Sequence, residues 1–314
     1  MPIPAALQPG LKLPVIAAPM FLVSGPELVI AACKAGVLGT FPALNQRTTA
    51  GYAEWLDQIK GALGPGDARY GVNIIVHQSN PRVMADLQVT VEHKVPLVIT
   101  SLGAVRDLVD AVHAYGGLVF HDVTTIRHAR KAAAAGVDGL ILVCAGAGGH
   151  AGTWSPFALV DEVRQFFQGT VILSGCLSTG RDVAAAMMLG ADFAYMGTRF
   201  IATAESRAAG GYKQMIAESH AADITYTPAI SGIPANFLTA SLVANGLDPK
   251  NLPAGGKLDL EHEARAWKDV WSAGQGVGSI TDAPPTAELV ARLHRELEEA
   301  ASTFSRRLPA RLDA

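Results

Sequence analysis

Short apolar segments alternate with helical segments along the first two thirds of this 314-residue chain. Near-continuous hydrophobic runs are typical of strands that are buried on both faces, and helical periodicity separates each run from the next. Strands are predicted at residues 15–19, 37–43, 70–76, 96–101, 118–123, 139–145, 170–175 and 193–200, and helices at 26–35, 51–63, 81–93, 104–114, 124–135, 156–167 and 179–189. Eight strands in this alternation predict an α/β fold, a closed TIM (β/α)8 barrel.

A glycine follows four of the predicted helices, directly before the next strand: Gly36, Gly116, Gly136 and Gly190. This is the position where left-handed backbone ends a helix, and such joints suit the bottom face of a barrel. An open doubly wound sheet uses similar joints. However, no G-x-G-x-x-G follows the first strand, which disfavours a dinucleotide-binding sheet.

Composition excludes several classes of function. The chain is 49% hydrophobic and 17% charged, with 25 basic and 28 acidic residues and a net charge of −3, so no basic surface indicates nucleic acid or anionic lipid as a partner. Cys33, Cys144 and Cys176 show no C-x-x-C spacing and lie in apolar or glycine-rich contexts, which predicts core thiols without a metal site. No leader or membrane-spanning run is evident, and we expect a soluble, cytoplasmic protein.

Barrel enzymes place their catalytic residues at the carboxyl ends of the strands. This rule selects, in chain order, Ala18, Pro19, Met20, Asn73, His77, His121, Asp122, His150, Ser174, Gly175, Cys176, Met196, Gly197 and Thr198. Small and hydroxyl-bearing residues after the last two strands match the barrel phosphate site, where peptide N–H groups hold an anion. Residues 178–182 add a candidate helix N-cap beside them.

The glycine-rich stretch at residues 144–152 follows the sixth strand and contains His150. Glycines let the backbone approach a flat or anionic ligand closely, and a histidine in such a loop can transfer protons near neutral pH. An ordinary strand-to-helix turn that happens to contain a histidine would have the same sequence.

Five segments in order resemble the nitronate monooxygenase family, formerly called 2-nitropropane dioxygenases. They are residues 18–20 (Ala-Pro-Met), 71–73 (Gly-Val-Asn), 147–152 (Ala-Gly-Gly-His-Ala-Gly), 173–175 (Leu-Ser-Gly) and 194–200 (Ala-Tyr-Met-Gly-Thr-Arg-Phe). Residues 225–240 and 273–278 also look like family segments, so the resemblance covers almost the whole chain.

The resemblance implies an FMN-binding barrel that oxidises alkyl nitronates, or nitroalkanes, with O2 to carbonyl compounds and nitrite. His150 would be the catalytic residue, as a base for neutral nitroalkanes or as a partner of the anionic nitronate. The implied FMN contacts are Ala18, Pro19 and Met20 beside the isoalloxazine, Asn73 at its polar edge, Gly148 and Gly149 in the loop, Ser174, Gly175, Cys176, Gly197 and Thr198 at the phosphate, and Gln275 and Gly276 closing the site.

Two residues depart from the family pattern. Cys176 stands where relatives often have glycine, although its peptide N–H still suits a phosphate. Asp122 stands where some relatives have lysine, and a carboxylate near the pyrimidine edge of the flavin would disfavour an anionic reduced flavin. The alternative is that Asp122 caps the helix that starts near Thr124.

The regular alternation stops after the eighth strand. We predict three regions: an FMN-binding barrel at residues 1–204, a partly helical lid or small second domain over the barrel mouth at 205–278, and a C-terminal helix returning to the barrel at 279–314. A helix is predicted at 204–214, and an amphipathic helix from Thr286 ends in a frayed tail at 306–314. Tyr226, Ile230 and Phe237 would line the substrate wall or form the core of the small domain.

Two other functions remain open. The first is an NAD(P)H-dependent flavin reductase of quinones or enoyl thioesters on the same scaffold, since no dedicated nicotinamide motif argues either way. The second is a protein that holds FMN without turnover, against which His150 argues. The apolar barrel helices suit either a monomer's core or the interface of a homodimer.

Overall fold

Eight parallel strands close into a barrel in this computed structural model, which describes residues 3–103, 105–256 and 267–308. The strands are β1 (Val15–Ala17), β2 (Leu38–Pro42), β3 (Tyr70–Ile75), β4 (Leu97–Ser101), β5 (Leu118–Val123), β6 (Gly139–Val143), β8 (Thr170–Ser174) and β9 (Phe193–Met196), with β7 (Gly149–His150) outside the barrel. The predicted TIM barrel is therefore confirmed. Because all eight barrel strands are parallel, their carboxyl ends meet at one mouth.

Helices surround the barrel and continue beyond it. They are α1 (Pro26–Ala35), α2 (Thr49–Ala62), α3 (Val83–Glu92), α4 (Arg106–His113), α5 (Ile126–Ala134), α6 (Pro156–Arg164), α7 (Gly180–Met188), α8 (Thr198–Ile201), α9 (Gly210–Glu218), α10 (Thr239–Ala244) and α11 (Thr286–Arg307). Within the described ranges, no helix has an apolar stretch long enough to cross a bilayer.

The predicted glycine joints are confirmed at the bottom of the barrel. Gly36 ends α1 with φ of +100°, and its N–H donates to the carbonyls of Ala32 and Cys33. Gly116, Gly136 and Gly190 also have positive φ. Each helix can thus stop and reverse direction into the following strand within a few residues.

Two predicted boundaries around the last barrel strand are wrong. The eighth barrel strand, β9, ends at Met196, because the chain turns at Gly197 into the short helix α8 instead of running on to residue 200. The helix predicted at 204–214 begins only at Gly210. The Thr203 and Ser206 hydroxyls donate to carbonyls of α8, and such local bonds compete with continued helix.

A small antiparallel sheet that the sequence reading did not predict lies beyond the barrel. Strands β10 (Ile224–Thr227) and β11 (Ala235–Leu238) form a hairpin, and β11 pairs on its other edge with β7. Two small apolar clusters accompany this region: one contains Val23, Ile201, Ile216 and Val277, and the other contains Ile230, Phe237, Leu242 and Val270. The segment predicted as a lid or second domain therefore has apolar packing of its own, and its residues 257–266 lie outside the described residues.

Helix α11 returns to the barrel, where it packs against α7 and α1. Its apolar side chains Leu289, Val290 and Leu293 are buried in the main core, as the amphipathic pattern predicts. The helix extends through Arg307, so the first residues of the predicted tail are helical, and residues 309–314 of that tail lie outside the described part of the chain.

Close packing of α7 on α11 depends on Gly180. A Cβ at this position would overlap the carbonyl oxygen of Leu293 and lie 2.6 Å from the backbone nitrogen of Leu297. We expect Gly180→Ala to lower the free energy of unfolding by about 3 kcal/mol, because the backbone of α11 cannot move aside as a flexible side chain can. Urea denaturation measures this loss as a lower midpoint at unchanged slope.

Gly61→Ala is the matched control for this prediction. Gly61 lies in α2, and no atom lies within 4 Å of the Cβ that alanine would add. Gly61→Ala should therefore raise the free energy of unfolding by about 0.5–1 kcal/mol, because alanine favours the helical backbone more than glycine does. Equal unfolding midpoints for the two variants would contradict the proposed role of Gly180.

Candidate active site

A cavity of about 1340 Å³ opens at the carboxyl ends of the barrel strands. Its wall combines the ends of the barrel strands with residues from the β10–β11 region and three tryptophans, Trp154, Trp267 and Trp271. Chemistry in barrels belongs at this end, so the cavity is the candidate active site.

The glycine-rich loop after β6 is held in place by distant backbone. Gly149 and His150 form β7, which pairs with Ala235 and Asn236 of β11. The Gly149 N–H also donates to Ser272 Oγ at 2.7 Å, and the Asn236 amide donates to the carbonyl of Ala147 at 2.7 Å. The loop is therefore anchored by β-pairing at the histidine and by side-chain hydrogen bonds to the residues just before it.

His150 lines the cavity and is half-buried. Its ring meets Trp267 edge-on with 5.7 Å between centroids, and its Nε2 lies 3.2 Å from Ser231 Oγ. The Ser231 hydroxyl donates its one hydrogen to the carbonyl of Ile233 at 2.8 Å, so towards His150 it acts as the acceptor. In this contact Nε2 of His150 is therefore the donor.

Asp122 lies in a polar network inside the cavity. Its Oδ2 accepts a hydrogen bond from Ser101 Oγ at 2.5 Å, and the Asn73 amide donates to the same Ser101 Oγ at 2.7 Å. The other oxygen, Oδ1, is buried without a partner among the described residues. Burial raises the pKa of Asp122 to about 6, against the opposing effects of the Ser101 hydrogen bond and of nearby His150.

The alternative role of Asp122 as a helix cap is wrong. Helix α5 is capped by Thr125, whose side chain accepts a hydrogen bond from the N–H of His128. Asp122 stands on β5 itself, where the alternation of side chains directs it into the cavity instead of along the chain towards α5.

Asp122 makes stability depend on pH in a defined direction. The pKa of Asp122 is about 6 in the folded chain and lower in the unfolded chain. Between about pH 4 and 6 the folded state therefore binds more protons than the unfolded state. The stability that this proton binding contributes is lost as the pH rises through that window. We expect the difference in Tm between Asp122→Asn and the natural chain to grow in favour of the variant from pH 4 to 6 and then level off. Asp107→Asn, an exposed carboxylate on α4, is the control; a flat difference for both variants would contradict the prediction.

A second part of the cavity wall follows β8 and β9. Gly175 has φ of +131° and Cys176 has φ of +57°, so the chain turns sharply here and presents its backbone to the cavity. Thr179 caps α7 next to this turn in a capping box with Asp182, which confirms the predicted N-cap. Thr198 lines the same wall and accepts a hydrogen bond from the N–H of Gly274 at 2.9 Å.

Comparison with known proteins agrees with this geometry. The sequence pattern of the nitronate monooxygenase family matches residues 52–296. The chain belongs to this family. It is 29% identical over 348 aligned positions to a nitronate monooxygenase of Paraburkholderia phytofirmans, covering 92% of this chain and 93% of that protein. As a member of the nitronate monooxygenase family, it is an oxidoreductase.

Two further comparisons extend the picture. The fold superposes on nitroalkane oxidase from Streptomyces ansochromogenes with a TM-score of 0.83 and 28% identity, covering 96% of this chain and all of the other. A second relative, (3aS,4S,5R,7aS)-5-hydroxy-7a-methyl-1-oxo-octahydro-1H-indene-4-carboxyl-CoA dehydrogenase of Rhodococcus jostii, is 30% identical over 234 positions, which cover 74% of this chain and 65% of that protein.

Most residues that the family resemblance selected lie together in the cavity wall. They are Ala18, Pro19, Met20, Asn73, Asp122, Gly148, Gly149, His150, Ser174, Gly175, Cys176, Gly197, Thr198 and Gly276. Gln275 is not in this wall: its backbone N–H donates to the carbonyl of Gly146 and its side chain lies against the same residue. Gln275 thus supports the loop from behind, because the short 3-10 helix that begins with it turns Gly276 to the cavity.

Two further expectations, on the cysteines and on the residues of the substrate wall, have mixed outcomes. Cys176 is exposed at the cavity, so its prediction as a core thiol is wrong, whereas Cys33 and Cys144 are buried. Tyr226 lines the cavity and donates to the carbonyl of Ala151 at 3.0 Å, while Ile230 and Phe237 are core residues of the small region.

Of the two additional histidines, His121 lines the cavity. His77 is not in its lining, and its Nδ1 lies 2.7 Å from Ser79 Oγ.

Sequence reasoning missed the residues that support His150 from far along the chain. Trp267 packs against the ring of the histidine, and Ser231 is hydrogen-bonded to it from 81 positions further along the chain. Ser272 accepts a hydrogen bond from Gly149 of the loop across 123 positions. The one local signal for these residues is Trp267 itself. A tryptophan in a polar segment is expected to be largely buried against another part of the chain, because tryptophan side chains are highly buried on average.

Proposed function

We propose that this chain binds FMN at the barrel mouth and oxidises alkyl nitronates, or their parent nitroalkanes, with O2 to carbonyl compounds and nitrite. The observation that carries the proposal is His150, a histidine anchored by β-pairing in a glycine-rich loop and facing a large cavity at the catalytic end of the barrel. Membership of the nitronate monooxygenase family supports the same reaction class.

The donor set of the cavity fits FMN. At one end lie the amide of Asn73 and Oδ1 of Asp122, which is buried and has no hydrogen-bond partner in the described part of the chain. Both suit the polar edge of a flavin ring, which carries hydrogen-bond donors and acceptors. At the other, Gly175 and Cys176 present backbone and Thr198 presents a hydroxyl, as in the phosphate sites of barrel enzymes. The cavity therefore combines a place for a flat ring with a place for an anion.

The bound flavin would supply the electron transfer that amino-acid side chains cannot perform. The protein's own contribution is proton handling and position. The neutral imidazole of His150 can accept the α-proton of a nitroalkane, and the protonated imidazole can hold the negative charge of a nitronate. Ser231 keeps the Nε2 side of the ring oriented, and the Trp267 edge packs against the imidazole.

Asp122 would hold the flavin edge in a protonation-dependent way. Below about pH 6 the carboxyl is neutral, so it can donate as well as accept a hydrogen bond, whereas above that pH it is an anion inside the cavity. The neutral form avoids the repulsion that a carboxylate would impose on electron-rich reduced flavin.

A spectroscopic experiment tests the proposal. Purified protein with its visible spectrum recorded is mixed anaerobically with ethyl nitronate in one cell and with NADH or NADPH in another. We expect the flavin bands to bleach with nitronate, and aerobic mixtures to consume O2 and release nitrite. Bleaching by NAD(P)H alone would replace the proposal with a reductase of quinones or enoyl thioesters, and protein that binds no added FMN would overturn both.

A further inference from the structure

The cavity extends beyond the barrel mouth, because residues of α5 and of the turn before it are among those that line it. Its volume of about 1340 Å³ exceeds the roughly 300–1,000 Å³ of pockets that hold a single drug-sized ligand. We call the extension the α5 branch and define it by the lining residues His121, Thr124, Thr125, His128 and Lys131. These residues lie on β5, on the turn after it and on α5.

Chain geometry separates this branch from the centre of the site. His121 and Asp122 are consecutive on β5, so their side chains point to opposite faces of the strand: Asp122 into the barrel mouth and His121 towards the helix layer. On α5, His128 and Lys131 are three residues apart and share one face of the helix. The branch is thus a side-chain cluster of its own, next to the strand that carries Asp122.

His121 supplies a buried polar atom at the base of the branch. The residue is only 6% exposed, and its Nδ1 lies 2.7 Å from Thr100 Oγ1. Thr100 thus occupies Nδ1, and Nε2 is the ring nitrogen that can bond a ligand. Among the described residues, none forms a hydrogen bond with Nε2, so it can form one with a ligand hydroxyl.

Lys131, at the rim of the branch, carries a positive charge without an ion-pair partner among the described residues. Arg82 and Arg207 also line the cavity, but they are paired with Asp86 and Glu27. Lys131 forms no ion pair within the described ranges, and the described cavity wall contains a single carboxylate in total. Although the chain has a net charge of −3, the described cavity wall therefore carries more cationic than anionic side chains where a ligand would enter.

We propose that the α5 branch is a subsite for a phosphate ester. Lys131 and His128 bind the phosphate oxygens, and Nε2 of His121 forms a hydrogen bond with a neighbouring hydroxyl of the same ligand. The proposal goes beyond nitronate oxidation, because a small alkyl nitronate carries no phosphate. A ribose phosphate has the required chemistry, and it can come from a nicotinamide dinucleotide or from a coenzyme A thioester.

Calorimetric titration of the FMN-loaded protein tests the subsite with three probes. Inorganic pyrophosphate tests the shared phosphate chemistry, 2′,5′-ADP represents the phosphorylated end of NADPH, and 3′,5′-ADP represents that of coenzyme A. The variants are Lys131→Gln and His128→Gln. Arg127→Gln is the matched control, since it removes the same charge from an exposed position of α5 that does not line the cavity.

We expect Lys131→Gln to weaken binding of all three probes about tenfold, the loss typical of one charged hydrogen bond, and Arg127→Gln to change it about twofold or less. His121→Phe should weaken the two nucleotides and leave pyrophosphate unchanged, because pyrophosphate has no ribose hydroxyl. Tighter binding of 2′,5′-ADP would assign the subsite to a dinucleotide, and tighter binding of 3′,5′-ADP to a coenzyme A thioester.

Two results would overturn the subsite: no probe binds with a Kd below about 1 mM, or the lysine and arginine variants weaken binding equally, which would indicate only a general charge effect. Ethyl nitronate oxidation by Lys131→Gln should equal that of the natural chain. Failure of the subsite is therefore distinguishable from failure of the proposed oxidation.

Discussion

His150→Asn should lower kcat for nitroethane oxidation about a thousandfold while the protein keeps its flavin. The asparagine preserves a polar side chain of similar reach, but it has no basic nitrogen with which to take the α-proton. Stopped-flow bleaching of the flavin bands measures the rate, and the visible spectrum of the purified variant shows whether cofactor binding survives.

Neutral and anionic substrates separate the two possible roles of His150. If the imidazole acts as a base, the loss is much larger for nitroethane than for ethyl nitronate, which has already lost its α-proton. If it binds the nitronate charge, both losses are similar and KM for the nitronate rises. His113→Asn on α4 is the control, since His113 pairs with Asp138 and is not in the cavity lining. Unchanged rates for His150→Asn with both substrates would remove His150 from the mechanism.

Gly175→Ala is expected to weaken FMN binding about a hundredfold. Gly175 has φ of +131°, a region that is essentially restricted to glycine, and an added Cβ would lie 3.0 Å from the carbonyl oxygen of Ala145. Relief of this strain must shift the turn that presents backbone to the proposed phosphate position, at a cost of about 3 kcal/mol. Quenching of flavin fluorescence on titration with the apoprotein measures the Kd.

Gly190→Ala controls for backbone strain without a change at the site. Gly190 has φ of +99° at the opposite end of the barrel, where its added Cβ would meet only Val160 Cγ1 at 3.8 Å. Both variants should unfold at lower urea concentration, but only Gly175→Ala should raise the Kd for FMN. Equal FMN affinity in the two variants would show that the turn after β8 does not hold the cofactor.

The barrel was predictable because its signals are local. Burial of both faces of a parallel sheet makes each strand a continuous apolar run, and a glycine such as Gly36 marks the helix end before the next strand. The positions of Asn73 and Ser174 in the cavity wall follow from the same pattern, because parallel strands bring their carboxyl ends to one mouth whatever the details of packing.

The partners of the site residues were not predictable in this way. Asp122 reads locally as a helix cap, and its actual partner Ser101 comes from the neighbouring strand, 21 residues earlier. The exposed position of Cys176 depends on its own φ of +57°, which an apolar context does not reveal. The β10–β11 hairpin was missed because its strands are four residues each and its third partner, β7, is part of a glycine-rich loop.

The sequence by itself determined the closed parallel barrel, the end of it that carries the chemistry, and the candidate histidine, because periodicity and strand order are properties of consecutive residues. Only the tertiary structure decided how that histidine is held, since Ala235 pairs with His150 across 85 positions and Ser231 bonds it across 81. It also decided that Lys131 and His121 share one branch of the cavity. Contacts between distant segments depend on how whole elements pack, and no local pattern encodes them.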